Sequence, residues 1–217
     1  MTDTSHWNPG HARKYTANRV YSAADGYILE ELRRISPDTV VEIGCGPGII
    51  AERSFFIEKY ICTDITIEFL KAASKAGPSC VYLNCRAETL PFRNAAADCV
   101  VAMAVLHHLS TEALRFSLNE IHRILKPNGI FLLLEDWCFE KGITGFEEEA
   151  RRFRFRNGSD ENHLTADNWL QEIRAAGFSC RDPVWTERPF HTSSPHILRW
   201  PEAERKVRMM ALESIRK

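Results

Sequence analysis

The stretch VVEIGCGPGII, Val40 to Ile50, decides how this chain is read. A β-branched apolar run carries Glu42 near its end and gives way to glycines at positions 44, 46 and 48. Valine and isoleucine favour a strand. The glycines let the chain turn sharply out of it and bring a ligand against bare backbone, with no Cβ in the way. A phosphate cradle of the P-loop type requires Gly-Lys-Ser/Thr at the end of the loop, and neither the lysine nor the hydroxyl is present. A dinucleotide turn requires a third glycine three residues after the second, where Ile49 stands. The loop therefore predicts a ligand without a pyrophosphate.

Outward from this loop, two hydrophobic periods alternate. TVVEIG, YICTD, CVYLN, DCVVAMAV and GIFLLLE are short apolar runs that predict five strands. IIAERSFFI after the glycines predicts a helix, as does IEFLKAASKAG with a glycine at its C-terminal end. STEALRFSLNEIHRILKPNG has a serine cap, apolar residues Leu114, Leu118, Ile121 and Leu125 at helical spacing, and Pro127 and Gly129 as its stop. Strand alternating with helix is the pattern of parallel crossovers, and continuous apolar strands belong to a sheet covered on both faces. The expected fold is an α/β, Rossmann-like doubly wound sheet of seven strands, mostly parallel with one antiparallel strand, and helices on both faces. Its ligand lies beyond the carboxyl ends of the strands, where strand order reverses.

Composition sets bounds on function. With 217 residues, of which 44% are hydrophobic, the chain can bury one substantial core, and no repeat or linker divides it. A single domain over 1–217 is expected: an N-terminal helical segment (1–36), a core (37–136), an insertion with the last strands (137–200) and a C-terminal helix (201–217). A formal net charge of -1 gives no basic bias towards nucleic acid. No secretory signal or bilayer-spanning run is apparent, so a cytoplasmic protein without a membrane partner is expected. The seven cysteines form no CxxC pair and sit mostly in apolar segments, which predicts reduced, buried thiols and no metal site.

Asp64 closes the second strand in YICTDIT, twenty residues after Gly44, where a carboxylate faces the same crevice as the glycine loop. Accepting two hydrogen bonds at once suits it to the 2′ and 3′ hydroxyls of a ribose, whereas alone it serves equally as a helix N-cap. VVEIGCGPG, CTDIT, RAETLPFRNAAADCVVAMAVLHHL and LKPNGIFLLLE, in this order and spacing over roughly Thr39 to Glu135, resemble the successive motifs of class I S-adenosylmethionine-dependent methyltransferases. The resemblance is to the broad small-molecule branch that includes quinone-biosynthesis enzymes.

The resemblance implies that S-adenosylmethionine is the cofactor and S-adenosylhomocysteine its product. Gly44, Cys45, Gly46 and Gly48 would wrap its methionine and ribose parts, with Glu42 bracing the loop. Asp64 would take the ribose hydroxyls, Ile65 would lie against the adenine, Ala87 would offer its amide, and carbonyls near Ala102 and Met103 would face the methionyl amino group. One position departs from the pattern: where the family usually has an aspartate that accepts from the adenine amino group, this chain has Arg86. A guanidinium cannot accept a hydrogen bond. Either Glu88 substitutes, or packing and backbone hold the adenine.

For the acceptor, His107 and His108 are candidate general bases after the fourth strand, against the alternative of capping the next helix. Glu135 and Asp136, at the end of the fifth strand, are candidate anchors or solvated strand-end acids. Trp137 could wall an apolar acceptor. Tyr15 and Arg19 are the lid residues to test. Arg151, Arg152, Arg154 and Arg156 interleave with Phe153 and Phe155, but Glu147 and Glu148 precede them at helical spacing, so a salt-bridged amphipathic helix is the better reading. FSCRDPVWTERPF and HTSSPHILRW are expected to form the last strand hairpin, leaving His191 and His196 on the surface. The expected reaction is methyl transfer to a small-molecule acceptor, by a monomer or homodimer. The alternatives are an RNA or protein methyltransferase, or a binding module that has lost catalysis.

Overall fold

The computed structural model describes residues 9–136, 164–189 and 206–217, together with Gly145 and Glu148. Two helices, α1 (Pro9–Asn18) and α2 (Ala23–Ile35), lead into β1 (Thr39–Ile43). Then follow β2 (Lys59–Asp64), α3 (Ile67–Ala76), β3 (Val81–Asn84), β4 (Ala97–Met103), α4 (Thr111–Ile124) and β5 (Leu125–Asp136). α5 (Ala166–Ala175), β6 (Phe178–Cys180), β7 (Val184–Pro189) and β8 (Lys206–Arg216) complete the described elements.

The strands form one eight-stranded sheet in the order β3-β2-β1-β4-β5-β8-β6, with β7 also paired to β8. β1 pairs in parallel with both β2 and β4, so strand order reverses between β1 and its neighbour β4. β8 is antiparallel to β5, β6 and β7. The expected mostly parallel sheet with one antiparallel strand is therefore present, and the eighth strand arises because β6 and β7 share the far edge of β8 end to end.

Each face of the sheet carries its own core. Ile28, Leu29 and Leu32 of α2 and Leu70 and Ala73 of α3 pack with Val40, Cys62, Val101 and Leu134. Leu114, Leu118, Ile121 and Ile124 of α4 and Trp169 and Ile173 of α5 pack with Val41, Ile43, Val100, Phe131 and Leu133. Alternate residues of β1, β4 and β5 thus go to opposite faces, both apolar, which is why these strands read as unbroken hydrophobic runs.

Two local expectations are corrected. IIAERSFFI forms only a single 3-10 turn, Ala51–Arg53. The Ser54 hydroxyl donates back to the Ala51 carbonyl at 2.9 Å and competes with helix continuation. Phe55 after it is 81% exposed. The C-terminal helix expected over 201–217 is instead a strand from Lys206 to Arg216. Met209 to Ser214 are all buried between β5 on one side and β6 and β7 on the other. Ladder hydrogen bonds to both neighbours override the helical preference of Met-Met-Ala-Leu-Glu. Of the two stretches expected to form the last hairpin, the first supplies β6 and β7, which both pair with β8, and the second, residues 191–200, lies outside the described residues.

Candidate active site

β1 and β2 deliver the glycine loop and Asp64 to the same edge of the sheet, in register through Ile43 opposite Thr63. The loop turns in the left-handed region, with φ of 64° at Gly44, 52° at Gly46 and 83° at Gly48. L side chains avoid that region. A methyl group on Gly44 would come within 2.2 Å of Val105 Cγ2, and one on Gly48 within 2.7 Å of Ala73 Cβ. At Gly46 an added Cβ meets nothing within 4 Å. The loop is therefore backed by Val105 and Ala73 and faces open space at Gly46.

Asp64 holds the front of this loop. Its Oδ2 accepts the Gly46 amide at 3.0 Å and its Oδ1 the Thr66 amide at 2.7 Å. It thus ties the entry of α3, whose N-cap is Thr66, to the glycine loop, and is not itself the N-cap. Burial pushes its carboxyl pKa up, and these amides pull it back towards the ionised form. The Thr66 hydroxyl and the Ile65 amide add to these donors, and Asp64 keeps 8% exposure. Ile65 and Ile67 beside it are exposed and give the cleft an apolar rim. Asn84, at the end of β3, donates to the Asp64 and Ile65 carbonyls at 2.8 and 2.9 Å and fixes the turn.

Glu42 is buried one strand layer below. The Tyr60 hydroxyl donates to its Oε2 at 3.0 Å, and the Cys62 thiol lies at 4.0 Å. Its partners therefore come from β2 rather than from the loop it was expected to brace. Burial first, countered by the Tyr60 hydrogen bond, pushes its carboxyl up to about 8. The Cys45 thiol donates to the Gly46 carbonyl at 3.5 Å.

Arg86 and Glu88 do not act independently: they form an ion pair at 2.6 Å, with Arg86 40% exposed and Glu88 15%. One oxygen of Glu88, the expected substitute for the missing aspartate, is thus engaged by Arg86. Ala87 packs against the core on the α4 side. Ala102 is fully buried within β4, paired with Ile43 and Leu133, and Met103 ends the strand half-buried.

On the acceptor side, His107, Glu135 and Asp136 come together, but inward. They are 2%, 0% and 1% exposed. Glu135 Oε2 sits 2.5 Å from His107 Nδ1, and Oε1 accepts the Leu106 amide at 2.9 Å and the Val105 amide at 3.4 Å. Asp136 Oδ1 is 3.7 Å from the same imidazole nitrogen. The ligand-capable atoms of these three residues lie within 4.8 Å of one another, the one such trio among the described residues. Hydrogen bonds occupy both Glu135 oxygens. The expectation that Glu135 and Asp136 are solvated or reach an acceptor is corrected by this burial. His108 is half-buried with its ring centroid 4.1 Å from that of His107.

Of the lid residues, Tyr15 packs edge-on against Phe69 with centroids 5.6 Å apart, which lays α1 on α3. Arg19 turns into the α1–α2 junction, where it forms an ion pair at 2.5 Å with the fully buried Asp25, itself bonded to Ser22. Trp137 and the arginine-phenylalanine stretch 151–156 lie outside the described residues, as do His191 and His196. Thr66, Ala73, Asn84 and Val105 were not read from the sequence. Asn84 alone carried a signal, a polar residue closing an apolar strand at the carboxyl edge.

Bare backbone open at Gly46, the Asp64 carboxylate next to it and the exposed Ile65 and Ile67 are groups that suit an S-adenosyl cofactor. Among the described residues no helix is long and apolar enough to cross a membrane. The family described as Methyltransferase domain matches residues 41–133. The chain is 34% identical over 112 residues to the tRNA (carboxymethyluridine(34)-5-O)-methyltransferase of Arabidopsis thaliana, covering 50% of this chain and 26% of that protein. It is 35% identical over 118 residues to the human protein named Arginine-hydroxylase NDUFAF5, mitochondrial, covering 54% and 31%. The chain thus spans about a third or less of the length of these two relatives. The fold is shared with the N-methyltransferase NodS of Bradyrhizobium japonicum WM9, solved with S-adenosyl-L-homocysteine, at a TM-score of 0.66 and 13% identity over 95% of this chain and 97% of that one. Residues 41–133 thus match the family described as Methyltransferase domain, and the chain shares the fold of a structurally solved N-methyltransferase.

Proposed function

We propose that the protein transfers the methyl group of S-adenosylmethionine to a small-molecule acceptor. The observation that carries the cofactor half is the Asp64–Gly46 cradle, in which a ribose-directed carboxylate and an open glycine backbone share one hydrogen bond. In this reading the loop from Gly44 to Gly48 holds the methionyl and ribose parts, Asp64 the ribose hydroxyls, and Ile65 the adenine face. Ala87 and the end of β4 at Met103 line the remainder. The bound cofactor supplies an electrophilic methyl carbon on a sulfonium. The chain's contribution is to hold an acceptor in line with it, a positional effect that needs a base only when the acceptor must lose a proton. His108 is the base candidate with a solvent-facing part, since His107 is sequestered by Glu135.

Charge among the described residues supports a small-molecule acceptor. Arg19, Arg34, Arg53, Arg86, Arg115, Arg123 and Arg181 each pair with a carboxylate. Neutralised arginines do not build the contiguous basic face that a phosphate backbone requires. The plant relative's name favours a second reading, an RNA acceptor.

Calorimetric titration of S-adenosylmethionine and S-adenosylhomocysteine into the wild-type protein and Asp64→Ala tests the cofactor site. Saturable binding that collapses in the variant is expected, and wild-type protein that takes up neither compound would end the proposal. Release of S-adenosylhomocysteine is then followed with a small-molecule acceptor panel and with bulk tRNA. Turnover on tRNA that falls steeply with salt transfers the assignment to the second reading.

A further inference from the structure

Glu135 and His107 look like acid–base residues in the sequence, yet the fold seals both. What Glu135 does touch is the backbone of the segment leaving β4. Its Oε1 gathers two successive amides, Val105 and Leu106, while Oε2 holds His107. One carboxylate thus grips three consecutive residues. The Ala104 amide donates to the Leu134 carbonyl at 2.8 Å, so β5 holds a fourth residue of the same segment. Ala104 adopts a φ of 51°, a conformation that a non-glycine residue keeps when its surroundings impose it.

The consequence lies on the other side of Val105. Its side chain occupies the space where a Cβ on Gly44 would be, with Cγ2 2.2 Å and Cβ 2.8 Å from that position. Val105 is therefore the surface on which the first turn of the glycine loop is formed. If the segment after β4 moved, the loop would lose its backing at Gly44, where φ of 64° gives it freedom to take other turns.

We infer that Glu135 is a positioning residue for the cofactor site, acting through the Val105 backbone and side chain on Gly44 and touching neither cofactor nor acceptor. His107 serves as the third arm of that anchor rather than as a base. The inference rests on the proposed cofactor site for its functional meaning, but its structural half stands without any ligand.

Two readouts test it. In the ligand-free protein, amide hydrogen exchange of residues 43–48 is compared between wild type, Glu135→Ala, Glu135→Gln and Val105→Ala. Glu135→Ala and Val105→Ala are expected to speed exchange in that segment while the β2 and β3 amides stay protected. Glu135→Gln, which keeps an acceptor oxygen for the two amides, is expected to restore most of the protection. In calorimetry, Glu135→Ala should weaken S-adenosylmethionine binding by about tenfold or more, the factor that goes with losing a charge-assisted hydrogen bond. The double variant with Val105→Ala should lose less than the product of the two single effects, because both act along one path. Unchanged exchange at 43–48 in both Glu135→Ala and Val105→Ala overturns the inference, as do multiplicative losses in the double variant. Should Glu135→Ala not fold, Val105→Ala and Glu135→Gln carry the same comparison. Wild-type protein that fails to bind the cofactor yet shows the expected exchange pattern would count against the proposed function and leave the coupling standing.

Discussion

Asp64 and Glu135 use one chemical device at two places along the carboxyl edge of the sheet. Each is a carboxylate at a strand end that accepts two backbone amides from neighbouring loops. Asp64 keeps 8% exposure and faces the open side of Gly46, whereas Glu135 is 0% exposed and closed by His107. The first arrangement lies beside open space at the glycine loop; the second is turned wholly inward and holds the protein together. Glu42, the third buried carboxylate of this region, has the Tyr60 hydroxyl and the Cys62 thiol on Oε2 and its pKa is pushed up to about 8.

Glu42 gives the largest expected effect. The unfolded chain releases its proton near the ordinary glutamate value, while the folded protein keeps it to about 8. Over that window the folded state binds more protons, so stability is full at acidic pH and falls as pH rises from about 4.5 to 8, by up to about 1.4 kcal/mol per pH unit. Glu42→Gln should flatten this slope in denaturant unfolding measured at several pH values; an unchanged slope would show that a donor from water or the loop already satisfies Glu42.

The contrast between the sealed and the open carboxylate is sharpened by a matched pair. Glu135→Leu strands His107 and two amides in the interior and should lower unfolding free energy by about 3 kcal/mol. Asp64→Leu, at the rim of a cleft, should cost about 1 kcal/mol, the scale of a lost cap. Equal costs would mean that both carboxylates are scaffold. The smallest effect belongs to Arg86→Ala, which breaks a half-exposed ion pair and should change stability by under about 1 kcal/mol. A rise in cofactor affinity in that variant would show that freeing Glu88 restores an acceptor for the adenine.

The sequence by itself determined the order of strands through β5 and the helices α3 and α4, because those elements announce themselves locally: apolar runs for strands buried on both faces, a stripe of Leu114, Leu118 and Ile121 for α4, glycines where φ turns positive. It also brought Asp64 and the glycine loop to one edge, since a parallel crossover of this length leaves few other places for them. Tertiary structure decided what local propensity cannot carry. Lys206–Arg216 is a strand because β5, β6 and β7 all offer it ladder hydrogen bonds, against a composition that favours helix. The same holds for the fate of His107 and Glu135. Residue type gives an imidazole and a carboxylate their chemistry, but only the packing of β4 against β5 sets whether they face a substrate or each other, and here it turned them inward.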